Sequence, residues 1–177
     1  MAVPQKARQK AGRIRLAVFD VDGVMTDGTI LLGDNGVEFK AYNVHDGLGL
    51  VMLQQAGIEV AVISSRCSRA VSKRMLRLGV KYVIQGVTDK AQALTELLQE
   101  LGVDYTAVAF VGDDLIDLPA MTRAGMAIAV ANARPEVLAR ADWITTAPGG
   151  HGGVREVCEM LLEAQGKLSD RIKKYTG

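Results

Sequence analysis

Cysteine is scarce: Cys67 and Cys158 are the only two in 177 residues. They are too few for a disulfide framework and form no metal motif, which points to a reduced, cytoplasmic chain in which both pack as small hydrophobes. Charge of one sign is also missing. Lys and Arg number 21 against 20 Asp and Glu, a net charge of +1, and this argues against nucleic-acid binding, which needs a basic face. No apolar run approaches the ~18 residues of a membrane span. The run Ala124–Ala131 is interrupted by Gly125 and has the length of a strand. The first 19 residues carry Lys6, Arg8, Lys10, Arg13 and Arg15 but no apolar stretch of the kind a secretory signal needs. There is no internal repeat and no low-complexity segment. What is present is ordinary for a globular domain: 49% hydrophobic and 23% charged residues, in a chain long enough to bury about 70% of its extended surface.

Residues 1–14 are polar, basic and aperiodic, and read as a flexible tail, as do residues 166–177. From Leu16 onward, short β-branched runs alternate with amphipathic segments. Leu16–Phe19, Ile58–Ile63, Val80–Ile84, Ala107–Val111, Met126–Val130 and Trp143–Ile144 read as strands. Leu48–Ala56, Ser68–Leu78, Ala91–Leu101, Leu115–Arg123, Glu136–Arg140 and Val154–Ala164 read as helices. Gly57, Gly79 and Gly102 follow helical patterns where a left-handed cap is favoured, and Pro135 suits a first turn. Such alternation predicts an α/β fold, a doubly wound parallel sheet covered on both faces over residues 15–165. One segment departs from it. Residues 28–44 read as strand, turn and strand about Asp34-Asn35-Gly36, a β-hairpin inserted where a cap domain would otherwise stand.

The carboxylates carry the chemistry. Asp20-Val21-Asp22-Gly23 follows the first strand, and Gly112-Asp113-Asp114-Leu115-Ile116-Asp117 follows the Ala107–Val111 strand. In an open parallel sheet both belong to the carboxyl edge, where ligands bind. Crowded carboxylates repel, and a hard divalent ion such as Mg²⁺ resolves the repulsion. Ser64 and Lys90 fall on the same edge and supply a hydroxyl and an ammonium for phosphoryl oxygens. Asp20 is then placed to attack phosphorus, and Asp22 to protonate the leaving oxygen and later activate water. An EF-hand is excluded because Val24 and Met25 stand where that loop needs Asp or Asn and then Gly. Asp117 reads either as a partner in this cluster or as a backbone-binding residue. Asp114 reads either as orienting Lys90 or as holding its loop. Arg69, Lys73 and Arg77 read as a solvated helix face.

The ordered set DVDGVMTDG, Ser64, Lys90 and GDDLID resembles the four motifs of the haloacid dehalogenase superfamily. TDGTI with the hairpin, NVHDGLG, ISSR, GDDLIDLPAM and GGHGGVREVCEMLL before AQGKL resemble a capless branch of it, whose members hydrolyse an acidic eight-carbon sugar phosphate for lipopolysaccharide precursor synthesis. The resemblance implies a Mg²⁺-dependent phosphatase with Asp20 as nucleophile and Asp22 as acid and base. It implies a metal held by Asp20, the Asp22 carbonyl and Asp113, and a cytoplasmic homotetramer built through the hairpins. It further implies substrate binding by Asp22, Asn43, Val44, His45, Asp46, Gly47, Arg66, Arg74 and Lys90, with Asp114 and Asp117 in support. His45, Val51 and Ser65 stand where members of the branch often carry Arg, a basic residue and Gly. Alternatives are a phosphatase of a nine-carbon sialic-type sugar phosphate, a phospho-acceptor regulatory domain, and a tetramer that has lost catalysis. The order of the motifs, with the nucleophile on the first strand and Asp22 beside it, disfavours the phospho-acceptor domain, and the intact Asp20, Asp22, Lys90 and Asp113 disfavour lost catalysis.

Overall fold

A computed structural model describes residues 3–176. Its centre is a six-stranded parallel sheet made of β1 (Leu16–Phe19), β4 (Glu59–Ser64), β5 (Tyr82–Gln85), β6 (Val108–Gly112), β7 (Met126–Ala129) and β8 (Trp143–Ile144). Their order across the sheet is β5-β4-β1-β6-β7-β8. The chain starts in the middle, winds outward through β4 and β5, then returns to β6 on the other side of β1. Every residue of β1, β6 and β7 is buried, as expected of strands with helices on both faces.

The helices follow from the crossovers. Helices α1 (Gln5–Ala11) and α2 (Val44–Gln55) both pack on α7 (Gly153–Ala164), while α4 (Lys90–Leu101) packs on the short α5 (Leu118–Met121). Helices α3 (Arg69–Arg77) and α6 (Pro135–Leu138) complete the crossovers, and α8 (Leu168–Thr176) ends the described chain. The left-handed residues expected at Gly57, Gly79 and Gly102 are present, with φ of 80°, 72° and 61°. Among the described residues no helix is long and apolar enough to cross a membrane.

Three expectations need correction. Residues 5–11 are helical where a flexible tail is expected. Ala7 and Ala11, one turn apart, are buried, and Gln165 donates hydrogen bonds to the carbonyls of Ala11 and Ile14. Alanines give almost no hydropathy contrast, so this face does not stand out from its basic neighbours. Residues 168–176 are also helical, with Lys167 and Arg171 donating to the carbonyls of Ala56 and Gln55. The helix expected over 115–123 is a 3₁₀ turn, Leu115–Asp117, followed by the single-turn α5; Asp114 and Asp117 close a reciprocal capping box on that turn, and Asp117 gives α5 no side-chain cap.

The hairpin is present but short: β2 (Leu31–Leu32) and β3 (Glu38–Phe39) are antiparallel, with Leu31 opposite Phe39. Alternation along β3 points Glu38 and Lys40 to one face and Val37 and Phe39 to the other. The charged face of β3 is turned inward and its apolar face outward: Leu31, Val37 and Phe39 on that face are 45–59% exposed, and Ile30 and Leu32 at the hairpin's edge are exposed as well.

Candidate active site

Sheet order reverses at β1, and there the carboxyl ends of β1 and β6 open a crevice. Phe19 is level with Val62 on one side and Val111 on the other. Asp20, Ser64 and Asp113 therefore leave three adjacent strands at one edge. The Asp20 N–H donates to the Val111 carbonyl at 3.0 Å, which ties this turn to β6. Gly23 has φ 98°, and a Cβ there would collide with the Asp113 carboxylate, so the first loop passes over Asp113 only because this residue is glycine.

Lys90 reaches the crevice from the first turn of α4, which Asp89 caps by accepting from the N–H groups of Ala91 and Gln92. Its ammonium lies 2.7 Å from Asp20 Oδ1 and 2.6 Å from Asp117 Oδ1. Asp117 Oδ2 accepts from the N–H groups of Asp113 and Asp114 at 3.0 and 3.1 Å. Asp117 thus orients Lys90 and holds the loop at once. Asp114 caps the 3₁₀ turn through Leu115 N–H at 2.7 Å and is exposed. Of the two roles open for Asp114, the structure gives it the loop and gives Lys90 to Asp117.

Among the described residues, Asp20, Asp113 and Asp117 form an acidic group whose ligand atoms all lie within 4.8 Å of one another. Burial raises Asp20 to about 6, with Asp117 adding to the rise and Lys90 opposing it. Burial raises Asp113 to about 8, helped by Asp117, Asp20 and Asp114. Burial alone lowers the Lys90 ammonium, but Asp20 and Asp117 together raise it above its ordinary value. Asp113 Oδ1 is buried with no hydrogen-bond partner. A partnerless oxygen facing a second carboxylate, with one ammonium for three acids, fits a hard divalent cation with oxygen ligands. The Asp22 carboxylate, expected in this cluster, instead turns to Lys40 and Arg66.

This cluster makes a pH prediction. The Asp113 proton is held up to about pH 8 in the fold but only to about 3.8 in the unfolded chain. The stability it contributes is complete below the lower value and is lost as pH rises through the upper one. Thermal melts in EDTA are expected to fall across that window. Asp113→Asn is expected to flatten the fall and to remove the rise in Tm that Mg²⁺ brings.

Asp22 sits in a ring of alternating charge. Lys40 Nζ pairs with Asp22 Oδ1 and lies 3.1 Å from Glu38 Oε1. Arg66 Nη2 lies 2.8 Å from Glu38 Oε2, and Arg66 Nε 3.8 Å from Asp22 Oδ2. Arg66, then Ser68 and Lys40, hold Glu38 down at about 2. Lys40 and Glu38 escape the sequence reading, since a two-residue strand gives no sign of which face meets the site. Asn132 escapes it too: it donates to the Gly23 carbonyl and accepts from Gly149 N–H, clamping the first motif's turn.

The remaining expected residues surround the start of α2. Asn43 caps that helix by accepting from His45 N–H at 2.8 Å. Val44 and His45 are exposed on its first turn. Asp46 is buried and accepts from Gly152 and Arg155 N–H, so it caps α7 from across the gap. Gly47 packs against the Arg74 guanidinium with no room for a Cβ. Arg74 lies 5.7 Å from the centroid of the Tyr42 ring, and its Nε and the Tyr42 hydroxyl are buried without partners. Burial raises the Tyr42 hydroxyl well above its usual value. Ser64 is buried and accepts from Arg66 N–H at 3.3 Å.

A family model for haloacid dehalogenase-like hydrolases matches residues 82–157. The 3-deoxy-D-manno-octulosonate 8-phosphate phosphatase of Escherichia coli K12 is 48% identical over 161 residues, 91% of this chain and 86% of that protein. A crystal structure of the Moraxella catarrhalis phosphatase of the same name, in complex with magnesium, phosphate and KDO, superposes with a TM-score of 0.94 at 44% identity. It covers 96% of this chain and 98% of that one. A cobalt-bound phosphatase from Haemophilus influenzae superposes with a TM-score of 0.88 at 41% identity, covering 91% and 94%. With its sheet, its inserted hairpin and its acidic crevice in place, the chain belongs to the 3-deoxy-D-manno-octulosonate 8-phosphate phosphatases of the haloacid dehalogenase superfamily.

Proposed function

We infer that the protein hydrolyses 3-deoxy-D-manno-octulosonate 8-phosphate to the free sugar acid and phosphate, a step of lipopolysaccharide precursor synthesis. The observation that carries this is the buried Asp20, paired with Lys90 and set beside the partnerless oxygen of Asp113. It stands in a chain whose Moraxella relative was crystallised with magnesium, phosphate and KDO. Mg²⁺ would be held by Asp20, the Asp22 carbonyl and Asp113, and would supply positive charge beside the phosphoryl oxygens.

The chain's own residues do the rest. Asp20 Oδ2 attacks phosphorus while Lys90 holds Oδ1, so the reacting oxygen stays fixed. A P–O bond forms to Asp20, the ester P–O bond breaks, and the leaving alkoxide takes a proton from Asp22. Asp22 then removes a proton from the water that attacks the aspartyl-phosphate, which returns Asp20 and releases phosphate. Ser64 and Lys90 hold non-bridging oxygens. Arg66 is 46% exposed at the mouth and suits a sugar carboxylate, which Arg reads with two parallel donors. Arg74, Asn43, Val44, His45, Asp46 and Gly47 shape the wall on the α2 side.

Phosphate release from a panel of acidic sugar phosphates, with and without EDTA, tests the reading. The eight-carbon ester is expected to have the highest kcat/KM, and EDTA to abolish turnover. Preference for a nine-carbon sugar phosphate would displace it, and a stable phospho-protein without turnover would mark a regulatory domain.

The outward apolar face of the hairpin supports a homotetramer assembled through residues 28–44. Two short strands are marginal alone in water, and this pair leaves five large apolar side chains exposed. Phe39→Asp is expected to lower the mass read by light scattering while leaving the monomer folded. The two free thiols, Cys67 exposed and Cys158 buried, suit a reducing cytoplasm.

A further inference from the structure

The hairpin offers more than an outward face. The Lys40 side chain is fully buried, although it stands one residue past a strand whose other side is open to water. Burying an ammonium is costly unless it is paired, and Lys40 is paired twice, to Asp22 and to Glu38. Three separated segments meet at this ring: the turn after β1 brings Asp22, the hairpin brings Glu38 and Lys40, and the turn after β4 brings Arg66. The two cations on Asp22 differ. Arg66 is half exposed and stands off at 3.8 Å, so it can leave for an incoming anion. Lys40 is enclosed and stays.

We propose that Lys40 is a positioning residue for Asp22, holding its carboxyl group in place to protonate the leaving oxygen of an alkyl phosphate. This rests on the acid role assigned to Asp22 above. When the ester bond breaks, the proton passes from Asp22 to the leaving oxygen and Asp22 becomes a carboxylate. Lys40 keeps hold of Asp22 Oδ1 throughout, so the Oδ2 that carries the proton stays aimed at the leaving oxygen, and the ion pair is restored when Asp22 returns to a carboxylate. Lys40 touches no substrate atom in this scheme. Glu38 and Arg66 anchor the hairpin so that Lys40 keeps its place.

The test exploits leaving groups. Protonation matters for an alkoxide and little for p-nitrophenolate, and kcat/KM reports the step in which the ester bond breaks. Lys40→Met is expected to lower kcat/KM for the sugar phosphate by about a hundredfold, chiefly through kcat. For p-nitrophenyl phosphate it is expected to stay within about threefold of the parent. Lys40→Arg, which restores the charge, is expected to recover most of the loss. An equal loss on both esters would mean that the hairpin had collapsed, and no loss on either would mean that Asp22 needs no holding; both overturn the proposal. If Lys40→Met does not fold, Lys40→Gln keeps a neutral donor on a side chain one atom shorter. A smaller but still selective loss then supports the proposal, and an equal loss again overturns it. Asp22→Asn separates the two levels of the argument. If it spares the sugar phosphate, the acid role itself fails. If it shows the selective loss and Lys40→Met does not, only the role of Lys40 fails.

Discussion

Asp20→Asn is expected to reduce phosphate release from every ester by at least about a thousandfold, because an amide cannot open the covalent route. The substitution keeps the shape of a buried side chain, and Lys90 retains Asp117 at 2.6 Å, so the ammonium keeps an anionic partner. It also removes one of the acids that raise Asp113 by repulsion. The metal-free variant is therefore expected to melt no lower than the parent, which separates loss of chemistry from loss of fold. Phosphate release and a thermal melt on the same preparation read both. Retention of more than roughly a tenth of the parental rate would remove Asp20 from the role of nucleophile.

Lys90→Met is expected to have the largest effect on stability. Methionine fills similar space but leaves Asp20 and Asp117 buried without their shared ammonium, and breaking such a pair costs about 3–5 kcal/mol. For a chain of this size that lowers Tm by roughly 6–20 °C. The loss should shrink as pH falls, since Asp20 is already raised to about 6 with Lys90 present and protonates more readily without it. Mg²⁺ should also restore part of the melt by replacing the missing positive charge, yet turnover should not return, because Asp20 has lost the group that fixes its second oxygen. Melts at several pH values with EDTA or Mg²⁺ check this. A variant as stable as the parent in EDTA would mean that the three carboxylates share protons well enough without the lysine.

Much of the molecule can be read without coordinates because its signals are local. Six strands announce themselves as short, mostly apolar runs, and Asp20, Asp22, Asp113 and Lys90 fall at strand and helix ends where a parallel sheet must gather them. The 3₁₀ turn after β6 is harder. Asp114 and Asp117 are both plausible partners for Lys90 by spacing, and the choice depends on which one faces inward once Leu115 and Ile116 turn to solvent. Helix α1 is invisible for a related reason: alanines at positions 7 and 11 become a packing face only when α7 is there to cover them.

The ring around Asp22 marks the boundary most clearly. Residue types and their order along the chain suffice for the sheet, the crevice and the phosphoryl chemistry, since strand direction alone brings those side chains to one edge. Which way the hairpin turns its charged side, and hence that Glu38 and Lys40 close on Asp22 while Val37 and Phe39 face water, follows from contacts between segments far apart in sequence. A two-residue strand has too few alternations to settle its own orientation, so the body it folds against settles it.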